Sequence, residues 1–93
     1  METRSITGEL TIYTAATEKQ MLQEALDIAD ELEVNLSHVS EMDSAGLQVL
    51  IVLKQEAARR NKRLHYSMHS KAVLDILELS NMTASFGDQI VLT

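Results

Sequence analysis

Glu31-Leu32-Glu33-Val34-Asn35-Leu36 alternates carboxylate or amide side chains with aliphatic ones at a period of two. That period places Leu32, Val34 and Leu36 on one face of an extended strand and Glu31, Glu33 and Asn35 on the other. A strand covered by helices on both faces reads instead as a continuous apolar run. The alternation therefore predicts a sheet whose helices cover mainly one face.

The flanking sequence supplies those helices. Upstream, Leu10 and Ile12, with Ile6, predict an early strand after Gly8. Thr17-Glu18-Lys19-Gln20 matches a capping box, and Met21, Leu22, Ala25, Leu26 and Ala29 follow it on one helical stripe. Downstream, a second helix is expected from about Ser44 to Asn61. Leu64, Tyr66 and Met68 then alternate with His65, Ser67 and His69. Ser70 is placed to cap a third helix carrying Val73, Ile76 and Leu77, and Ile90 with Leu92 reads as a short final strand. Strands alternating with helices favour crossover connections and a largely parallel or mixed sheet. The expected architecture is a two-layer α/β domain, with Asn35, His65, Ser67 and His69 on the less protected face. No repeat, linker or proline interrupts the chain, so residues 1–93 read as one domain.

Composition narrows the function. Hydrophobic residues make up 45% of the chain but only three are aromatic, which implies an aliphatic core. With no cysteine, neither a disulfide nor a thiolate metal site is available. The net charge of −6 argues against nonspecific nucleic-acid binding, which depends on cations that neutralise phosphates. The one basic run, Arg59-Arg60-Asn61-Lys62-Arg63, reads as a solvated helix C-terminus complementing the macrodipole. No apolar run approaches the roughly 20 residues that span a bilayer, and the N-terminus lacks a secretory pattern. A cytoplasmic location is expected. His65 and His69 share a strand face, yet without further ligands they read as surface histidines, and no metal or cofactor is expected.

The helix beginning at Ser44 carries the most informative chemistry. Leu47, Leu50, Leu53, Ala57 and Ala58 form its inward stripe, while Ala45, Gln48, Val52, Gln55 and Arg59 follow 3-4-3-4 spacing on the other side. A partner can approach closely along Ala45, Gln48 and Val52, although single exposed aliphatic residues are common. Ser44 fits an N-cap, which alone would explain a serine there. Gly46 in the first turn costs about 1 kcal/mol relative to alanine. It either admits another backbone or lets the helix pack tightly on the sheet.

Asn35-Leu36-Ser37-His38-Val39-Ser40-Glu41-Met42-Asp43-Ser44-Ala45-Gly46-Leu47 resembles the signature of the STAS domain family, the anti-sigma factor antagonists and their relatives. In that family an Asp-Leu-Ser strand end leads through a short loop to Asp-Ser-x-Gly-Leu at a helix start. Gly8-Glu9-Leu10-Thr11-Ile12-Tyr13-Thr14-Ala15-Ala16 also resembles its second strand and the entry to its first helix. Asn35 stands where aspartate is usual, keeping the size and one acceptor oxygen but losing the charge.

The resemblance implies a non-enzymatic, protein-binding module regulated by serine phosphorylation. Its implied partners are a serine kinase, or anti-sigma-type protein, with a histidine-kinase-like ATPase fold, and a PP2C-type phosphatase. Ser44 matches the phosphoacceptor, and Asp43, Ala45 and Gly46 shape the helix entrance. Binding is expected in the unphosphorylated state. The resemblance leaves open a constitutive accessory subunit of a transporter ATPase complex, or a module beside a chemotaxis or two-component system. A hydrolase built on Ser44, His38 and Asp43 is disfavoured, because the stretch lacks the first glycine of Gly-x-Ser-x-Gly.

Overall fold

The computed structural model describes residues 2–79. The element order is β1 (Glu2–Leu10), α1 (Ala15–Ile28), β2 (Glu31–Met42), α2 (Ser44–Arg59), β3 (Arg63–Ser67) and α3 (Lys71–Leu79). This is the expected alternation, and the expected final strand at Ile90 and Leu92 lies outside the described residues. The strands form one sheet in the order β1-β2-β3, and both pairings are parallel. Crossovers between parallel strands are right-handed as a rule, and two in succession between neighbouring strands put α1 and α2 on the same face, where they pack together.

Burial follows the period read from β2. Leu32, Val34 and Leu36 are fully buried, while Glu31, Glu33 and Asn35 keep solvent contact. The register extends both rows across the sheet. Leu32 pairs with Leu64 and Val34 with Tyr66 in the core row, and Asn35 lies between Ser5 and Ser67 in the polar row. Leu22, Ala25 and Leu26 of α1, Leu47, Val49, Leu50, Leu53 and Ala57 of α2, and Val73 and Leu77 of α3 complete one aliphatic core. The Tyr66 hydroxyl donates to the Leu50 carbonyl at 2.7 Å, so the one aromatic ring buried among the described residues has its polar end satisfied.

Several local expectations are corrected. The first strand begins before Gly8, not after it, and ends at Leu10, leaving Ile12 69% exposed. Gly8 has φ +87° beside a register shift, a backbone state suited to glycine that redirects the strand end. Helix α1 starts at Ala15, so Thr17 lies inside it and no capping box forms there. The turn before it is locked by another threonine. Thr14 Oγ1 accepts from the Thr11 amide at 3.0 Å and donates to the Glu9 carbonyl at 2.9 Å.

In α2, Ala58 is exposed and Val49 takes a core position instead. His69 is 1% exposed rather than a surface residue. Met68 has φ +56° just after β3 ends, so the period-two count stops applying before His69 is reached. Ser70 does cap α3, its Oγ accepting from the Val73 amide at 3.3 Å.

The basic run is more engaged than a solvated helix end. Asn61, with φ +56°, ends α2 in a Schellman arrangement: its amide donates to the Ala58 carbonyl and the Lys62 amide to that of Ala57. Arg60 pairs with Asp27 at 2.8 Å and Glu56 at 3.2 Å, and Lys62 Nζ donates to the Leu26 carbonyl. Gln23 Nε2 adds a bond to Glu56 at 3.0 Å. These contacts tie α2 to the C-terminal half of α1, which is a structural use for the cations.

The two faces of α2 are separable by substitution. Leu50→Ala is expected to cost about 2–5 kcal/mol, because it empties a fully buried site. Gln55→Ala, on the exposed side, should stay within about 0.5 kcal/mol of wild type. Urea denaturation of both variants reads the difference directly.

Candidate functional site

Strand β2 ends at Met42 and α2 begins at Ser44, leaving Asp43 as the single connecting residue. Its extended backbone turns the chain, and its carboxylate makes two bonds to backbone amides. Oδ1 accepts from Gly46 N at 3.0 Å and caps α2; Oδ2 accepts from Ile12 N at 3.0 Å and tethers the β1–α1 turn. The Asp43 amide also donates to the Leu10 carbonyl at 3.4 Å. Asp43 is therefore the N-cap, and the expectation that Ser44 fills that role is corrected. Aspartate caps as well as serine does, and its charge also suits the helix dipole.

Gly46 has a specific reason to lack a side chain. A Cβ there would lie 2.0 Å from the Leu10 carbonyl oxygen and 2.9 Å from its carbon. The backbone that approaches Gly46 is the chain's own, at the end of β1. One contact serves both uses open from sequence: a backbone approaches Gly46, and because it belongs to β1 the helix packs tightly on the sheet.

With capping assigned to Asp43, Ser44 stands as the first residue of α2 and is exposed. Gln48 is exposed, and Ala45 and Val52 are half-buried, so these three follow Ser44 along the outer side of the helix. Gly46 is buried and Asp43 half-buried. Those two shape the entrance rather than offer surface. Asn35 is not part of this cluster: seven strand positions separate it from Met42, roughly 20 Å at strand rise. Its Oδ1 accepts from the Ser37 amide at 2.8 Å, a bond the retained acceptor oxygen suffices to make.

Sequence reasoning missed Ile12 and Tyr13. They occupy the turn tethered by Asp43, and their exposures of 69% and 88% are large for apolar side chains. The usable signal was the threonine pair around them, Thr11 and Thr14, which marks a turn where alternation alone suggested more strand. Residues 8–18 and 37–53 contain Glu9, Glu18, Glu41 and Asp43, and Lys19 and Lys54 follow directly on the two segments. His38 in the second segment has its Nδ1 3.0 Å from the Ser37 hydroxyl. The proposed hydrolytic trio is thus not assembled, since Asp43 is held by amides and His38 pairs with Ser37.

A parallel-stranded α/β layer with a capped Asp-Ser-x-Gly helix entrance defines a class of small domains. The family described as "Mlab, STAS domain" matches residues 4–92, and the chain belongs to the STAS domain family. A solved structure of the anti-sigma factor antagonist SpoIIAA in its unphosphorylated form is similar, with a TM-score of 0.74 at 18% sequence identity. The match covers 99% of this chain and 80% of that one. At that identity the likeness establishes the fold.

Two measurements test the entrance. Gly46→Ala should destabilise the protein by about 1–3 kcal/mol or more through backbone overpacking, despite the helix propensity of alanine. A gain in stability by urea denaturation would refute the contact. The Ile12 amide, followed by that of Gly46, holds the Asp43 carboxyl below the usual range. The unfolded chain therefore takes up this proton first as pH falls. Its stabilisation is complete above about pH 4 and disappears as pH drops through the lower folded value. The Tm difference between wild type and Asp43→Asn should accordingly narrow below about pH 4.

Proposed function

We propose that this chain is a non-enzymatic, single-domain regulatory module of the anti-sigma factor antagonist type, acting in the cytoplasm. Its partner is a serine kinase or anti-sigma-type protein with a histidine-kinase-like ATPase fold, bound when Ser44 is unphosphorylated. Phosphorylation of Ser44 releases that partner, and a PP2C-type phosphatase restores the binding form. Asp43, Ser44, Ala45, Gly46, Gln48 and Val52 make up the partner site, with Gly46 contributing through shape. Among the described residues, no helix is long and apolar enough to cross a membrane.

One observation carries this reading. Asp43 and Gly46 each have a complete role within the fold, whereas the Ser44 hydroxyl is exposed at the helix start and is not the cap. A phosphate there adds about −1.5 to −2 charges beside free helix amides that favour an anion. The domain tolerates that charge, while a partner surface fitted to the hydroxyl meets repulsion from it. The similar SpoIIAA structure is described as an unphosphorylated form, which supports a phosphorylation cycle for this fold.

A second reading is a constitutive accessory subunit of a transporter ATPase complex. Its support is that the internal roles of Asp43 and Gly46 account for most of the motif without a kinase. Affinity capture with wild-type, Ser44→Ala and Ser44→Asp baits, with intact-mass analysis of the wild type, separates the two. The switch predicts a phosphate on the wild type and at least about tenfold weaker partner binding by Ser44→Asp, at unchanged Tm. Equal binding by all three baits, in a fixed ratio that ATP does not alter, sinks the switch and favours the subunit.

A further inference from the structure

We propose that two copies of this chain pair through the end of the domain where α2 finishes, with Ile28 of each copy seated in a cationic groove of the other. The inference is independent of the switch reading, because it uses none of the residues assigned to the partner site.

The groove lies between the last turns of α2 and the start of β3. Its cavity of about 240 Å³ is smaller than the roughly 300–1,000 Å³ of small-molecule sites and suits a single side chain. Ala57, Ala58 and Leu64 give it an apolar lining, and Lys62 and Arg63 border it with positive charge. Four of the eight lysines and arginines of the chain fall within residues 59–63. Arg60 is engaged by Asp27 and Glu56, whereas Arg59 and Arg63 are exposed and form no ion pair among the described residues. The occupant that fits such a recess is an apolar side chain flanked by carboxylates.

The chain carries that segment itself. Asp27-Ile28-Ala29-Asp30-Glu31 leads from α1 into β2 and holds three carboxylates in five residues. Ile28 is 71% exposed, and Asp30 is exposed with no ion pair among the described residues. A lone exposed aliphatic residue is ordinary. Here, however, a recess of matching polarity and opposite charge lies beside it on the same molecule. The two features adjoin, because Lys62 Nζ donates to the Leu26 carbonyl and the Arg63 amide to the Asp30 carbonyl at 2.9 Å. They do not meet within one copy, since Ile28 stays exposed.

A projection and a recess at one end of a domain are satisfied together by a two-fold axis. Each copy gives its Ile28 and receives the other's, so the assembly closes as a dimer instead of growing as a fibre. The same axis sets Asp30 of each copy beside Arg63 of the other. Ser44 stands at the opposite end of α2, a helix of 16 residues and about 24 Å, so the pairing leaves both Ser44 sites outside the contact.

Sedimentation equilibrium of the full chain tests the pairing. One apolar side chain and a few charges make a small contact, so dimer is expected at about 1 mM protein and monomer at about 10 µM. Ile28→Ser should weaken association about tenfold or more at unchanged Tm. Asp30→Arg and Arg63→Asp each set like charges together at both contacts, and each alone should stay monomeric. Mixed in equal amounts, they set opposite charges at both contacts, and the dimer should return. Both positions are exposed, so the Tm of each variant is checked before mixing; if either unfolds, Ile28→Ser carries the test. A wild type that remains monomeric at about 1 mM overturns the pairing. So does a dimer that Ile28→Ser leaves as tight as wild type, or folded reversal variants that fail to associate on mixing, since either result places the contact elsewhere.

Discussion

The close approach of Gly46 to the Leu10 carbonyl is the constraint on which the site depends. It brings the first turn of α2 against the last residue of β1, at a separation that a single methyl group would prevent. Only at that separation can one short side chain, Asp43, bond both to the helix it caps and to the turn beyond β1. The bulged end of β1 at Gly8 belongs to the same arrangement, because it redirects the strand just before Leu10. Three elements meet at this point and hold one another in place.

The far end of the same helix is fixed by different chemistry. There the chain uses charge and long side chains: Arg60 spans to Asp27, and Lys62 reaches the last turn of α1. Exposed ion pairs of this kind contribute little individually, so the apolar stripe of α2 remains the main attachment. The division is chemically consistent. Cations gather at the C-terminal end of α2, where the dipole favours them, and carboxylates at the N-terminal end. Arg60 and Lys62 serve that brace, while the junction leading into Ser44 carries Glu41 and Asp43.

The layers and element order were legible because they rest on periodicity. The two-residue alternation of Leu32, Val34 and Leu36 is enforced by burial on one face, and the structure reproduces it. Errors arose where a local backbone state reset the count. Met68 and its left-handed φ carried His69 inside, and the Thr11–Thr14 turn carried Ile12 out. The site was legible as a motif but not as a mechanism. Asp43 and Ser44 are both good caps by composition, and only the contact between Asp43 and Ile12, distant in sequence, separates their roles. Gly46 was similarly ambiguous, since the carbonyl that requires it comes from another element. Tertiary contacts of this type leave no periodic trace.

The assignment of the cap to Asp43 bears on whether a modified Ser44 is compatible with the fold. Had the serine hydroxyl been the cap, esterifying it would replace the capping acceptor with a bulkier dianion and change the helix entrance itself. With Asp43 as the cap, the Gly46 amide has its acceptor in Oδ1 and does not draw on the neighbouring hydroxyl. In the proposed switch, the cap and the phosphoacceptor are then adjacent side chains with separate duties. The hydroxyl that the proposed switch would modify is one that the helix entrance does not use as its cap. On this arrangement, the aspartate preceding the serine leaves the proposed phosphoacceptor outside the two bonds by which the carboxylate holds the helix entrance and the β1–α1 turn together.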